Sequence, residues 1–248
     1  MPLHLGILQT DSVLEDLQPR FGDYPSMFED LFRAEDPTMT FTTYDVQMAL
    51  PDNLNCDAYL ITGCKLSVYD DLPWIRELAD FVRQAIEAKK KILGICFGHQ
   101  LIAHFFGGEV GPASVGWAVG VQTSELILKP SWMSETAAPP SQLNLVPSHK
   151  DQVLRLPDEA EVFATSDFCN VSGFMLGNEV LTIQGHPELT TEYSKALMGV
   201  RRQSLGEEVY LAGIETLQKN TDQRLFTRWM LVFIKVQARA GDRAEVNQ

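Results

Sequence analysis

Apolar positions fall into short runs and helical spacings whose alternation changes along the chain. Residues 3–9 (Leu3-His4-Leu5-Gly6-Ile7-Leu8-Gln9) form an apolar strand at the start. A polar stretch with Pro19, Gly22 and Pro25 follows, then a helix over 26–34. Residues 40–46 are β-branched and aromatic and predict a second strand, and 57–63 predict a third, ended by Gly63. Between 73 and 88, Ile75, Leu78, Phe81, Val82 and Ile86 recur at helical spacing behind Pro73. Residues 91–95 make a continuous apolar strand, and helical patterning returns over 100–106 until Gly107-Gly108 closes it.

Alternation of strand and helix through Phe106 argues for a parallel sheet covered on both faces. Beyond it, strands are predicted at 119–128, 142–147, 161–166, 171–176 and 179–184, separated by Gly, Pro and Asn. Residues 132–141, rich in prolines and small side chains, predict a surface loop, and helices resume after Leu189. The expected fold is α/β: a mainly parallel central sheet flanked by helices, with an additional small β region. One domain is expected over 1–240, with a polar mobile tail at 241–248.

Composition narrows the function classes. With 45% hydrophobic residues over 248 positions, the chain can build a core, so disorder is excluded for most of it. No apolar run approaches the roughly 20 residues of a membrane span. Met1-Pro2-Leu3-His4 does not open a secretory signal, so a cytoplasmic location is expected. A net charge of −13 repels phosphate backbones, and Lys89-Lys90-Lys91 reads as a solvated helix end rather than a nucleic-acid patch. Cys56, Cys64, Cys96 and Cys169 follow no disulfide or zinc spacing and read as reduced thiols.

One of the four has a chemical setting. Gly94-Ile95-Cys96-Phe97-Gly98 stands where the fourth strand meets a helix, in the form of a nucleophile elbow with cysteine in place of serine. Side chains at either glycine would collide with the bent backbone. The helix starting behind Cys96 brings partial positive charge to the sulfur. A buried core cysteine on a tight turn is the competing reading. A cysteine nucleophile needs a base, and the base an orienting group. Of His4, His99, His104, His149 and His186, only the last stands in a suggestive frame, Gly185-His186-Pro187-Glu188. Pro187 biases His186 toward extended backbone, which puts Glu188 on the same side, within reach of the imidazole. His99, on the helix behind Cys96, points away from the thiol. A loop histidine beside the first acidic residue of a helix is the competing reading here.

Gly94-Ile95-Cys96-Phe97-Gly98-His99-Gln100, followed by His186-Pro187-Glu188, resembles the class I glutamine amidotransferases. The resemblance covers most of the chain. Ile61-Thr62-Gly63-Cys64 with Ser67-Val68-Tyr69-Asp70 is similar to the family's oxyanion loop. Ser148-His149-Lys150-Asp151-Gln152-Val153 is similar to a segment of its GMP synthetase-like branch. The resemblance implies that Cys96 attacks the γ-carboxamide of glutamine and that a γ-glutamyl thioester forms and is hydrolysed. It implies that His186 moves the protons and Glu188 orients it, and that no metal or cofactor takes part. The backbone N–H of Phe97 and one from Gly63-Cys64 would hold the oxyanion. Gln100, His149 and Asp151 would line the substrate pocket.

Two departures matter. Many relatives carry Gly-Gly-Pro where this chain has Gly63-Cys64-Lys65. Residues 189–248 have room only for closing helices, and no Gly-x4-Gly-Lys-Ser/Thr phosphate loop occurs. Ammonia would therefore pass to a separate synthetase subunit or to none. Gly22-Asp23-Tyr24, Asp71-Leu72-Pro73-Trp74-Ile75 and Gly116-Trp117-Ala118-Val119-Gly120 resemble standalone γ-glutamyl peptidases, which act on γ-glutamyl peptides or glutathione conjugates. The other readings are an acyltransferase related to homoserine succinyltransferases, which lack the Gly94–Gln100 string, and a non-catalytic binding protein on the same fold.

Overall fold

Apolar runs such as Ala58-Tyr59-Leu60-Ile61 send successive side chains to opposite faces, so both faces of their sheet need cover. The computed structural model describes residues 2–135 and 138–236. The expected tail at 241–248 lies outside the described residues, as do 237–240. The first part of the chain runs β1 (His4–Gln9), α1 (Gln18–Phe21), α2 (Tyr24–Arg33), β2 (Thr40–Asp45), β3 (Ala58–Ile61), α3 (Pro73–Glu87), β4 (Lys91–Ile95) and α4 (Phe97–Phe105). Then come β5 (Glu109–Pro112), β6 (Gln122–Leu126), a 3-10 turn (Ser131–Glu135), β7 (Gln142–Leu145), β8 (Asp151–Arg155), β9 (Ala160–Thr165), β10 (Gly173–Leu176) and β11 (Val180–Ile183). Four helices close the fold: α5 (Thr191–Val200), α6 (Arg202–Leu205), α7 (Glu207–Thr216) and α8 (Gln223–Lys235).

Nine strands form one mixed sheet in the order β2-β1-β3-β4-β11-β10-β9-β6-β7. The half from β2 to β11 is parallel, as the strand–helix alternation predicts. From β11 to β7 every pairing is antiparallel, and β9, β10 and β11 follow one another through short connections with no crossover helix. A separate two-stranded sheet pairs β5 with β8. On one face Leu5, Ile7, Leu60, Leu93 and Leu181 pack against Phe28 and Phe32 of α2 and Phe226, Trp229 and Phe233 of α8. On the other, Leu8, Tyr59, Ile61, Ile92 and Val180 pack against Ile75, Leu78 and Val82 of α3 and Leu101 and Ile102 of α4. No helix among the described residues is long and apolar enough to cross a membrane.

Helix α2 starts two residues before the predicted position. Asp23 caps it, accepting from the Tyr24 N–H at 2.8 Å, and Pro25 sits in the first turn, where its missing N–H costs nothing.

Candidate active site

Sheet register decides where the chemistry falls. Leu8, Ile61, Gly94 and Thr182 stand in one row across β1, β3, β4 and β11. Two residues further along each chain stand Thr10, Gly63, Cys96 and Gln184, beyond the carboxyl ends of the parallel strands. Such sheets bind ligands at that edge, where the strand order reverses.

Cys96 occupies the turn between β4 and α4 with φ 51° and ψ −93°, a left-handed conformation that a side chain rarely adopts. Its N–H donates to the Ile183 carbonyl at 2.9 Å. The flanking glycines are there for space. A Cβ on Gly94 would lie 2.9 Å from the Gly98 backbone, and one on Gly98 would lie 2.7 Å from the Ile61 Cβ and 2.8 Å from the Ile61 carbonyl oxygen. Helix α4 therefore starts directly at Phe97, three residues before the sequence pattern showed it.

His186 is buried, its N–H donating to Val146 at 2.8 Å. Its Nδ1 lies 2.7 Å from Oε1 of Glu188, whose side chain is fully enclosed, and Cys96 stands beside the ring. Burial alone would drive the imidazole toward neutrality. The Glu188 carboxylate and the Cys96 sulfur outweigh it, and the pKa of His186 is pushed up to about 10. Gly63 makes room for the ring, since a Cβ there would sit 2.7 Å from His186 Cε1.

The loop after β3 is held at several points. The Gly63 carbonyl accepts from the Thr10 hydroxyl at 2.9 Å. In a trans peptide this turns the Cys64 N–H to the opposite side. The Lys65 N–H donates to Asp11 Oδ2 at 3.1 Å, and its ammonium lies 3.0 Å from Asp11 Oδ1. Ser67 and Tyr69 both donate to the Asp151 carboxylate, the latter at 2.8 Å. Cys64 is half-buried, and burial pushes its thiol up to about 12.

Gln100, on α4, donates to the Asp151 carbonyl at 2.7 Å and to Gln184 Oε1 at 3.0 Å. His149 Nδ1 lies 2.9 Å from the same carbonyl. Burial pushes His149 down to about 4, the hydrogen bond to Asp151 opposing and the charge of His186 adding to the shift. His99 turns away from Cys96 to Thr182 Oγ1, 2.9 Å away, and burial pushes it down to about 3.

These groups meet at a cavity of about 350 Å³. It is lined by Cys96, Gly63, Cys64, Gln100, His149, Asp151 and His186, while Glu188 lies behind His186 and the Phe97 side chain packs on Trp74. The structure thus places every side chain singled out in the sequence, Phe97 apart, at or directly behind one cavity. Sequence reasoning missed Thr10, Gln184, Tyr193 and Arg201; Tyr24 and Trp117, named only within the peptidase-like stretches, complete a wall of the cavity with Tyr193 and Arg201. Arg201 donates to Ser148 Oγ at 3.0 Å and has no carboxylate partner among the described residues. Gln184 alone had a readable signal: it stands two residues before His186 at a strand end. Among the described residues no three His, Cys, Asp or Glu side chains converge as metal ligands would.

The comparisons agree on one family. The model described as "Glutamine amidotransferase class-I" matches residues 31–198, a span holding Cys96, His186 and Glu188. Gamma-glutamyl peptidase 3 of Arabidopsis thaliana is 34% identical over 185 residues, 72% of this chain and 74% of that protein. A GMP synthase (glutamine-hydrolyzing) subunit of Methanocaldococcus jannaschii is 36% identical over 129 residues, 51% of this chain and 66% of that one. A glutamine amidotransferase from Thermotoga maritima has the same fold, with a TM-score of 0.76 at 18% identity, over 95% of this chain and 100% of that one.

Proposed function

The chain belongs to the class I glutamine amidotransferase family, and we propose that it hydrolyses the γ-amide bond of glutamine and of γ-glutamyl peptides through a thioester on Cys96. The observation that carries this reading is the line Cys96–His186–Glu188, its first two members lining the cavity, with the cysteine on a strained elbow. In this reading the Cys96 sulfur attacks the γ-carbonyl and His186, charged in the resting pair, gives its proton to the departing amine as the C–N bond breaks. The now neutral His186 takes a proton from water, which attacks the thioester and releases glutamate and the thiolate. Glu188 holds the ring and balances its charge. The N–H groups of Phe97 and Cys64 receive the oxyanion in both steps.

Substrate orientation follows from unused polar groups. Both amide hydrogens of Gln100 go to protein acceptors, which leaves its Oε1 to accept from an α-ammonium group. Arg201 supplies positive charge for the α-carboxylate. Sites built on such pairs reject analogues lacking the group, so N-acylated or α-esterified glutamine should be a poor substrate.

The loop after β3 supports action without a partner. Thr10 holds the Gly63–Cys64 peptide, while Asp11 and Asp151 hold Lys65 and Ser67 after it, so in this reading the oxyanion donors need no second protein to assemble them. Similarity to peptidases on one side and to a synthase subunit on the other leaves two leaving groups to compare. The test is a hydrolysis panel of glutamine, γ-glutamyl dipeptides and glutathione conjugates on the purified chain. The expected result is turnover of the dipeptides without any partner. Activity on glutamine alone, rising sharply when a synthetase is added, would favour the second reading, a subunit that feeds ammonia to a partner.

A further inference from the structure

The sulfur of Cys96 has a second polar neighbour besides His186. Gln184 is buried at the end of β11, with its N–H tied to the Ser172 carbonyl at 2.8 Å. Its side-chain nitrogen lies 3.5 Å from Cys96 Sγ. An amide can be turned either way, so the group that faces the sulfur must be deduced from its surroundings. The Asp151 carbonyl can only accept. Gln100 must therefore present its NH2 group there, at 2.7 Å. The second hydrogen of that NH2 group goes to Gln184, 3.0 Å away, so Gln184 presents its oxygen to Gln100. Its own NH2 group is then left for Cys96. One carbonyl fixes the orientation of both amides, and the chain ends with a donor aimed at the sulfur.

We propose that Gln184 is a further catalytic residue, whose amide N–H donates to the Cys96 sulfur and favours its anionic form. This rests on Cys96 being the nucleophile. A donor at this position is strongest when the sulfur carries charge, as when the thioester collapses and the thiolate leaves. His186 cannot serve both roles alone, since it surrenders its proton to the departing amine. Gln184 has no proton to lose and holds the sulfur through the whole cycle. It also fixes the direction of the Cys96 side chain relative to Gln100, which lines the substrate cavity.

The test measures alkylation of Cys96 by iodoacetamide from acid to alkaline pH, with kcat/KM for a γ-glutamyl dipeptide alongside. Gln184→Met keeps the length and removes the donor. On the acidic limb, where ionisation limits the rate, its alkylation should fall about tenfold, the size of a lost hydrogen bond to a charged group. The alkaline plateau should stay at the wild-type rate, and kcat/KM should fall in parallel with the acidic limb. Gln184→Glu, the same shape with an acceptor facing the sulfur, should also slow the acidic limb. An unchanged acidic limb in a folded Met or Glu variant would overturn the proposal. So would an equal fall at every pH, which marks lost access rather than lost charge stabilisation. Wild-type and Cys96→Ala controls separate this from the larger reading. If Cys96→Ala still hydrolyses the dipeptide, the nucleophile assignment has failed; if only the Gln184 variants behave like wild type, this inference alone has failed.

Discussion

At the scale of single residues, Cys96 brings together backbone strain and chemistry. Its φ of 51° costs on the order of 1–3 kcal/mol in a residue with a side chain. Cys96→Ala keeps that strain and removes the sulfur, so hydrolysis should disappear while the fold remains. Cys96→Gly relieves the strain. It should melt no lower than the Ala variant, whereas glycine ordinarily costs about 0.5–1 kcal/mol against alanine; a Gly variant clearly less stable than the Ala one would deny the strain. His186→Ala removes the proton carrier and should cost about 10²–10⁴-fold in kcat/KM. Glu188→Gln keeps the shape but loses the charge beside the imidazole, so its loss should be smaller, and steady-state kinetics on both variants rank them. Cys96 was legible in the sequence because glycines at 94 and 98 report a backbone squeezed between β3 and α4. Arg201 and Tyr193 were not, because their partners, Ser148 and Tyr24, come from distant segments and no local spacing links them.

Among elements, the loop between β3 and α3 carries the most consequence. Cys64-Lys65 departs from the Gly-Pro that the resemblance led one to expect there, and within this loop Asp11 grips both the N–H and the ammonium of Lys65. The exposed ammonium contributes little by itself, so the backbone bond should dominate. Asp11→Ala removes both contacts and should lower kcat about tenfold with a smaller change in KM, since a loosened oxyanion donor acts on the transition state. Lys65→Ala keeps the backbone bond and should retain most of the activity; equal losses in the two variants would shift the weight to the ammonium. Within the parallel half, β3 and β4 were legible from continuous apolar runs and β2 from its β-branched and aromatic residues. The pair β5 and β8 was not. Glu109-Val110-Gly111-Pro112 contains a glycine and a proline, and Asp151-Gln152 opens its partner with polar residues, so neither shows the usual strand pattern. Their pairing matters, since β8 carries Asp151 to the cavity.

For the molecule as a whole, the buried histidines set a pH window. His186 is raised from 6.5 to about 10, so its contribution to stability is complete below pH 6.5 and lost as pH rises toward 10. His149 and His99 are lowered from 6.5 to about 4 and about 3, so theirs is present above pH 6.5 and lost as pH falls through those values. Melting temperatures should therefore peak near neutrality and fall on both sides. His99→Gln should flatten the acid side, and an unaltered acid limb would show that His99 does not titrate there. The sheet order and the meeting of distant motifs at one edge follow from strand register, which the sequence implied only through the alternation of strands and helices. What that edge does is the central claim, and trapping the intermediate tests it most directly. Purified chain is mixed with a γ-glutamyl dipeptide, quenched in acid during turnover, digested and weighed by mass spectrometry. The account predicts a glutamyl group on the peptide containing Cys96, appearing and decaying with turnover. Turnover with no such adduct, or with the glutamyl group on another residue, would contradict it.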